Sequence, residues 1–140
     1  MKDRYFLDTN IILYSFDADN KQKRKTAIDL IQKGLVESRG RVSFQVIQEF
    51  INVASKPHIL DLKPEDIIEY IRAVLIPQCD LPPTIDHLVE AIQIKQKFKY
   101  SFYDSLIITA AMAQECSILY SEDLHYGQSI KGLKIMNPFI

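Results

Sequence analysis

The sequence has few glycines, few prolines and no long apolar run, and each shortage excludes a class of protein. Four glycines and six prolines among 140 residues exclude a low-complexity or linker-rich chain. The longest apolar runs extend over only a few residues, which is too short to span a membrane. The run that follows residues 1–4 is also too short for the core of a signal peptide. We therefore expect a protein that is not membrane-bound.

Cysteine is also scarce, and its two positions bear on the cellular compartment. Cys79 and Cys116 are isolated in sequence and lack the spacing of metal ligands. Two free thiols in a reducing cytoplasm are favoured over a disulfide. We therefore expect a cytoplasmic protein.

Composition indicates one domain and leaves the ligand open. With 140 residues, of which 47% are hydrophobic, the chain can form a single domain, residues 1–140, with its own core. The 17 basic and 18 acidic side chains nearly balance. That balance alone predicts nothing about nucleic acid. It is compatible with a polyanionic ligand if metal ions neutralise an acidic cleft.

The most informative stretch is residues 4–10, where a buried strand runs into an acid. Residues 5–7 are an uninterrupted apolar run, which is typical of a strand buried on both faces. Asp8 follows directly. A buried ionised carboxylate is costly unless it is paired with a charge or bound to a cation. We therefore hypothesise that Asp8 is one of several acids that meet around a metal ion.

Two later stretches also place acids at the ends of buried elements. Residues 116–120 predict a second apolar strand, which ends in Ser121, Glu122 and Asp123. Ser101 followed by Asp104 resembles a capping box at a helix start, and residues 105–113 are apolar nearly all round, which predicts a buried helix. The helix dipole favours an ionised Asp104 in this first turn.

Strands alternate with helices along the chain, which predicts an α/β fold with a mostly parallel sheet. The predicted strands are residues 5–7, 41–43, 116–120 and 133–136. The predicted helices are one or two turns at 11–16, then 21–36, 44–54, 67–75, 85 to about 99 with Thr84 as the N-cap, and 105–113. In such a sheet the ligand crevice lies at the carboxyl ends of the strands, where strand order reverses. Asp8 and Asp123 can therefore converge, with Asp104 facing the same crevice.

The basic and histidine residues leave alternatives open. The basic group at positions 21, 23, 24 and 25 is either a solvated helix face or a contact for a phosphate backbone. Lysines at 95, 97 and 99 are either favourable charges at a helix end or a ligand site. The three histidines, at positions 58, 87 and 125, are scattered, so we assign no protein general base.

Four motifs in this order and spacing resemble those of PIN-domain ribonucleases, specifically the toxin component of VapBC toxin–antitoxin pairs. They are LDTN at 7–10, QEF at 48–50, YDSL at 103–106 and LYSEDL at 119–124. The closing segment NPF at 137–139 resembles one subgroup. The resemblance covers essentially the whole chain. It implies a three-layer α/β/α domain that cleaves RNA phosphodiester bonds with Mg²⁺ or Mn²⁺.

By this resemblance, Asp8, Glu49, Asp104 and Asp123 form an acidic quartet. Asp8 and Asp104 are expected to contact metal directly, Asp123 to assist at the same or a second site, and Glu49 to act through water. Taken alone, Glu49 indicates only a solvated helix position. Glu122 competes with Asp123 for the fourth place. Asp123 is preferred because the family's fourth acid falls two residues after a hydroxyl residue.

The resemblance also implies partners, and it leaves several functions in play. It implies a homodimer and an antitoxin whose tail occupies the acidic groove, often with a basic side chain among the carboxylates. The favoured hypothesis is a metal-dependent endoribonuclease toxin. One alternative is a nuclease of the same fold in RNA processing or DNA structure cleavage, without a toxin role. Another is a non-catalytic PIN-like binding module.

Overall fold

A computed structural model describes residues 3–140 and contains a five-stranded sheet with helices packed around it. The strands are β1 (Arg4–Leu7), β2 (Gly40–Arg41), β3 (Cys116–Tyr120), β4 (Ser129–Ile130) and β5 (Leu133–Met136). The helices are α1 (Thr9–Tyr14), α2 (Lys21–Val36), α3 (Phe44–Ala54), α4 (Pro64–Tyr70), α5 (Ile85–Phe98) and α6 (Phe102–Ala113). The predicted α/β class is confirmed.

The order of the strands places a switch point beside the first acid. The order is β2-β1-β3-β5-β4, and every pairing is parallel except that of β4 with β5. The chain therefore leaves β1 towards one edge and later returns to its other side as β3. Leu7 pairs with Tyr120 at the carboxyl ends of β1 and β3. The residues that follow these two strands are thus neighbours, as the ligand crevice of an open α/β sheet requires.

The core holds these strand ends rigidly. Phe6, Leu7 and Leu119 are fully buried in the sheet. Helix α6 buries Ile107 and Ile108 against it, as its apolar sequence predicts. Such close packing restricts the directions in which the next residues of each strand leave the sheet.

Several predicted boundaries were wrong, and a side-chain cap and a proline explain two of them. The strand predicted at 41–43 is Gly40–Arg41, because Ser43 instead caps α3 and its Oγ accepts the Val46 N–H. The helix predicted at 67–75 begins at Pro64. Proline is well suited to the first helical position, because an N–H there would have no partner within the helix. It continues from Tyr70 as one π-helical segment, Ile71–Leu75, and then a short 3₁₀ segment, Ile76–Gln78.

Smaller differences concern other element ends and one unpredicted strand. Helix α1 starts at Thr9 and ends at Tyr14, not 11–16, and α6 starts at Phe102, directly after the predicted cap residue Ser101. Strand β4 has only two residues and exists through its pairing with β5. Thr84 caps α5 as predicted.

The helices and the cysteines bear on the predictions about membranes and disulfides. Among residues 3–140, no helix has the length and apolar character needed to cross a bilayer. Cys79 and Cys116 are both free.

Candidate active site

One open cleft, of about 360 Å³, contains all four acids that the sequence singles out. They come from four places in the fold: Asp8 follows β1, Glu49 lies on α3, Asp104 lies in the first turn of α6, and Asp123 follows β3. The cleft opens at the carboxyl ends of β1 and β3, the switch point of the sheet. Residues far apart in sequence therefore face a common space.

Asp8 is the most buried of the four acids, with 7% of its surface exposed. It is the N-cap of α1, and its Oδ1 accepts the Thr9 N–H at 2.7 Å. Its Oδ2 accepts the Ser121 hydroxyl at 2.7 Å. Burial raises the pKa of Asp8 from 3.8 to about 6, with further raising by the charges of Glu49 and Asp123 and an opposing effect of the two hydrogen bonds. The fold thus holds this carboxylate where its ionised form is costly.

The backbone fixes the two strand ends to each other. The Asp8 N–H donates to the Tyr120 carbonyl at 3.0 Å, so the sheet pairing extends one residue past β1. The Ser121 Oγ also accepts the Asp123 N–H at 3.1 Å. A single hydroxyl therefore links Asp8 to the turn that carries Asp123.

Glu49 is half-buried and turned towards the cleft by two donors. The Thr9 hydroxyl donates to Glu49 Oε1 at 2.5 Å, across 40 residues of sequence. Gln45, one turn earlier on α3, reaches Glu49 Oε2 at 3.5 Å and donates to the Tyr103 carbonyl at 3.1 Å. These contacts tie α3 to the start of α1 and to the residue before Asp104. They place Glu49 in the cleft, although its helix pattern alone indicates a solvated position.

Asp104 is half-buried at the amino end of α6. The Ser101 Oγ accepts the Asp104 N–H at 3.1 Å, which is the cap that the sequence predicts. The Asp104 carboxylate lies in the first turn of the helix and lines the same cleft as Asp8.

Glu122 does not line this cleft. Its carboxylate accepts a hydrogen bond from the Tyr14 hydroxyl at 2.7 Å and forms an ion pair with Lys23 at 2.6 Å. The Lys23 ammonium also lies over the rings of Tyr14 and Phe139. Of the two adjacent acids, Asp123 is the one in the cleft with Asp8.

Asn10 lies among the carboxylates, and the sequence reasoning did not assign it a role. Its Nδ2 donates to Asp123 Oδ2 at 3.1 Å and lies 3.3 Å from the Ser121 Oγ and 3.5 Å from Asp8 Oδ2. The signal available in sequence was an amide two residues after a strand-end acid. That spacing alone does not show where the side chain points.

The four acids lack compensating charge. In residues 3–140, no Lys, Arg or His side chain forms an ion pair with any of them, whereas Asp80 and Glu122 both have such partners. Over the same residues, no group of three or more Asp, Glu, His or Cys side chains is arranged to hold a metal ion. The cleft therefore supplies hard oxygen donors in one space, but the carboxylates stand apart and Asn10 lies between two of them.

A larger groove continues from the cleft. It has a volume of about 740 Å³ and shares Asn10, Leu13, Val53 and Asp123 with the acid cleft. Its walls combine apolar and acidic side chains; they include Phe16, Ile59, Leu60, Leu62, Asp17 and Asp19. The groove can therefore take an apolar ligand that also carries positive charge.

A second surface near the cleft is largely apolar. Ile85, Leu88, Val89 and Ile92 are exposed along one stripe of α5. A pocket of about 310 Å³ joins this helix to Phe44 on α3 and Tyr103 on α6, which are also exposed. Exposed apolar side chains that lie close together are typical of an interaction surface.

Comparisons with known proteins agree on the fold. The family model for the PIN domain matches residues 5–128. No curated protein matches the chain in sequence.

Solved structures of low sequence identity share the whole architecture. A toxin–antitoxin complex from Klebsiella pneumoniae has a TM-score of 0.66 and 18% identity, over 96% of this chain and 97% of that chain. A DNA-bound VapBC from Salmonella typhimurium has a TM-score of 0.66 and 18% identity, over 98% and 99%. VapC20 of Mycobacterium tuberculosis, described as a toxin that cleaves the sarcin-ricin loop, has a TM-score of 0.58 and 18% identity, over 85% and 89%. At these identities the likeness establishes the three-layer α/β/α fold alone.

Proposed function

The chain belongs to the PIN-domain family, and from that premise we propose that it is a metal-dependent endoribonuclease, the toxin of a toxin–antitoxin pair. The observation that carries the proposal is the convergence of Asp8, Glu49, Asp104 and Asp123 on one cleft. A fold does not need uncompensated acids from four elements to face one another, since their mutual repulsion opposes folding.

The donor set suits a hard divalent cation. Mg²⁺ and Mn²⁺ take carboxylate oxygens and keep waters, and an open acidic cleft provides both. Asp8, Asp104 and Asp123 would hold the ion, with Glu49 bound through water. The raised pKa of Asp8 fits this role, because a cation would favour the ionised form that burial disfavours. When bound, the ion supplies Lewis-acid activation of water and stabilisation of the leaving oxygen.

The protein's own groups position the reactants. Glu49, whose carboxylate accepts the Thr9 hydroxyl, would orient the attacking water. The fixed turn from Ser121 to Asp123 holds the fourth carboxylate near Asp8. The cleft is open on one side, so a single-stranded RNA backbone can enter it.

This chain has a groove that suits an antitoxin. The larger groove next to the acid cleft combines apolar walls with acidic residues such as Asp17 and Asp19. An amphipathic tail with a basic side chain fits this chemistry, and the basic group would reach the carboxylates along the shared wall. The toxin–antitoxin complexes of the same fold support this partner class.

The homodimer has a candidate surface as well. The exposed stripe of α5, with Phe44 and Tyr103 beside it, would be covered by a second copy of the chain. Sedimentation of the purified protein tests this directly. The variant Val89→Glu would give a monomer if the stripe is the interface.

RNA cleavage in cells tests the activity. RNA cut sites would be mapped after induced expression of the wild type, of Asp104→Asn and of Glu90→Gln, a matched control because Glu90 is an exposed acid on α5. We expect new cut sites with the wild type and the Glu90 variant, and none with Asp104→Asn. Equal cleavage by the wild type and Asp104→Asn, or no cleavage by any of them, would contradict the proposal.

Coexpression tests the toxin role. We expect the wild type to arrest growth and a small protein encoded beside it to relieve the arrest. This result would indicate a toxin. Cleavage without growth arrest would favour a nuclease of RNA processing. Mn²⁺ titration by calorimetry separates both from a binding module, for which we expect no heat of metal binding.

A further inference from the structure

The Asn10 amide lies between the carboxylates of Asp8 and Asp123. Resting on the proposed metal site, we propose that the Asn10 amide is a built-in competitor for the divalent ion. It keeps the carboxylates of Asp8 and Asp123 assembled without metal, and it weakens metal binding because the ion must displace it.

The orientation of the Asn10 side chain follows from a backbone donor. The Glu122 N–H donates to Asn10 Oδ1 at 3.2 Å. A backbone N–H can only donate, so it requires the oxygen of the amide on that side. The Nδ2 donor must therefore face the acids.

The position of Glu122 is itself fixed. Its carboxylate binds Lys23 at 2.6 Å and the Tyr14 hydroxyl at 2.7 Å. These contacts hold the backbone between Ser121 and Asp123 in place. The acid that lies outside the cleft thus determines the direction of the amide within it.

The amide and a cation would compete for the same oxygens. Nδ2 lies 3.1 Å from Asp123 Oδ2 and 3.5 Å from Asp8 Oδ2. A cation shared by these two carboxylates would use the lone pairs that face the amide. Of the four acids that line the cleft, these two are the ones that contact the amide.

The first test compares Asn10→Ala with Asn52→Ala. Asn52 also lines the cleft, on α3, but it is exposed and makes no hydrogen bond to the four acids. Mn²⁺ affinity is measured from the spin-resonance signal of the free ion, and Tm is measured in chelator. We expect Asn10→Ala to bind Mn²⁺ about three- to tenfold more tightly, as loss of one competing hydrogen bond predicts, and to melt at a lower temperature without metal. Asn52→Ala should match the wild type in both.

The opposite signs of these two effects separate competition from a merely structural role. A structural asparagine would lower Tm and leave Mn²⁺ affinity unchanged or weaker. A second variant, Asn10→Asp, keeps an oxygen for the Glu122 N–H and places a carboxylate where the donor was. It should melt well below Asn10→Ala in chelator and gain more Tm from Mn²⁺ than the wild type does.

The outcomes distinguish this inference from the proposed function. If the wild type binds Mn²⁺ and Asn10→Ala binds it equally or less tightly, the competitor role is wrong while the metal site stands. If neither the wild type nor either Asn10 variant binds Mn²⁺, both are wrong. Tighter binding by Asn10→Ala, with a lower Tm in chelator, supports the inference.

Discussion

Two polar clusters lie at opposite ends of the same strands, and they treat their acids differently. At the amino ends of β1 and β3, Asp80 Oδ2 accepts a hydrogen bond from Arg41 Nε at 2.7 Å. The same oxygen lies 3.7 Å from Arg4 Nη1. Gln114 joins this cluster by accepting the Asp80 N–H at 3.0 Å. At the carboxyl ends, Asp8 meets only neutral donors and other acids.

We interpret the difference as that between an acid that stabilises the fold and an acid of the proposed metal site. Asp80 balances a guanidinium whose side chain is only 8% exposed, so the pair satisfies both charges within the protein. Asp8 is as buried as Arg41 but has no cation of its own. A buried charge without a protein partner is the feature expected of a ligand site.

The largest expected effect is loss of cleavage at the uncompensated end. Asp8→Asn should lower metal-dependent RNA cleavage by more than about a hundredfold, because several kcal/mol of transition-state stabilisation depend on the ion. The measurement is the single-turnover rate on RNA at saturating Mn²⁺. Asp80→Asn is the control from the other cluster and should cleave at the wild-type rate. Cleavage by Asp8→Asn within a few-fold of the wild type would break the comparison.

The next effect is the contribution of Asp8 to the pH dependence of stability. Its folded pKa of about 6 lies above the ordinary value of 3.8, so its contribution to stability is present at pH below 4 and lost as pH rises through 6. The difference between these two pKa values corresponds to about 3 kcal/mol in the free energy of unfolding. In chelator, Asp8→Asn should therefore gain stability relative to the wild type as pH rises from 4 to 7.

Urea unfolding of both proteins in chelator at several pH values measures this difference. Comparing the two proteins cancels the contributions of the titratable groups that they share. At pH 7 the variant should be as stable as the wild type or more so, although it loses the hydrogen bond from Ser121. A large loss of stability at pH 7 would make Asp8 a structural residue.

At the compensated end we expect the opposite result. Asp80→Asn leaves the Arg41 guanidinium without its carboxylate and should cost about 2 kcal/mol of unfolding free energy, less than a fully buried pair because Asp80 is 40% exposed. Urea unfolding at pH 7 measures the loss, with Glu90→Gln as an acid that should change little. No loss of stability would show that this cluster does not rely on its charge pair.

Much of the fold was predictable because its elements have strong apolar patterns. Helices α2 and α3 and strands β3 and β5 have the predicted ends. Strand β4 was not predicted, since a two-residue strand is defined by its partner and not by its own sequence. The π-helical segment after α4 likewise depends on packing that local sequence does not encode.

The residue patterns predicted that three of the acids converge, only the family resemblance added Glu49, and neither predicted how the carboxylates are held. Acids directly after buried strands indicated Asp8 and Asp123, and the helix cap indicated Asp104. Asn10 and Thr9 gave no such signal, because their partners lie 113 and 40 residues away in sequence. The pairing of Glu122 with Lys23, over 99 residues, was hidden for the same reason.

The smallest expected effect tests whether donors at the uncompensated end tune function and not stability. Thr9→Val keeps the shape of a buried residue but removes the hydroxyl that holds Glu49 at 2.5 Å. A single hydrogen bond contributes about 1 kcal/mol net, so cleavage should fall about fivefold while unfolding free energy in chelator changes by no more than about 1 kcal/mol. Thr9→Ser keeps the hydroxyl and should restore the cleavage rate. If Thr9→Ser is as slow as Thr9→Val, the packing of the Thr9 methyl group, and not its hydroxyl, positions Glu49. The neutral donors of the cleft would then have a structural role, like the Arg41–Asp80 pair.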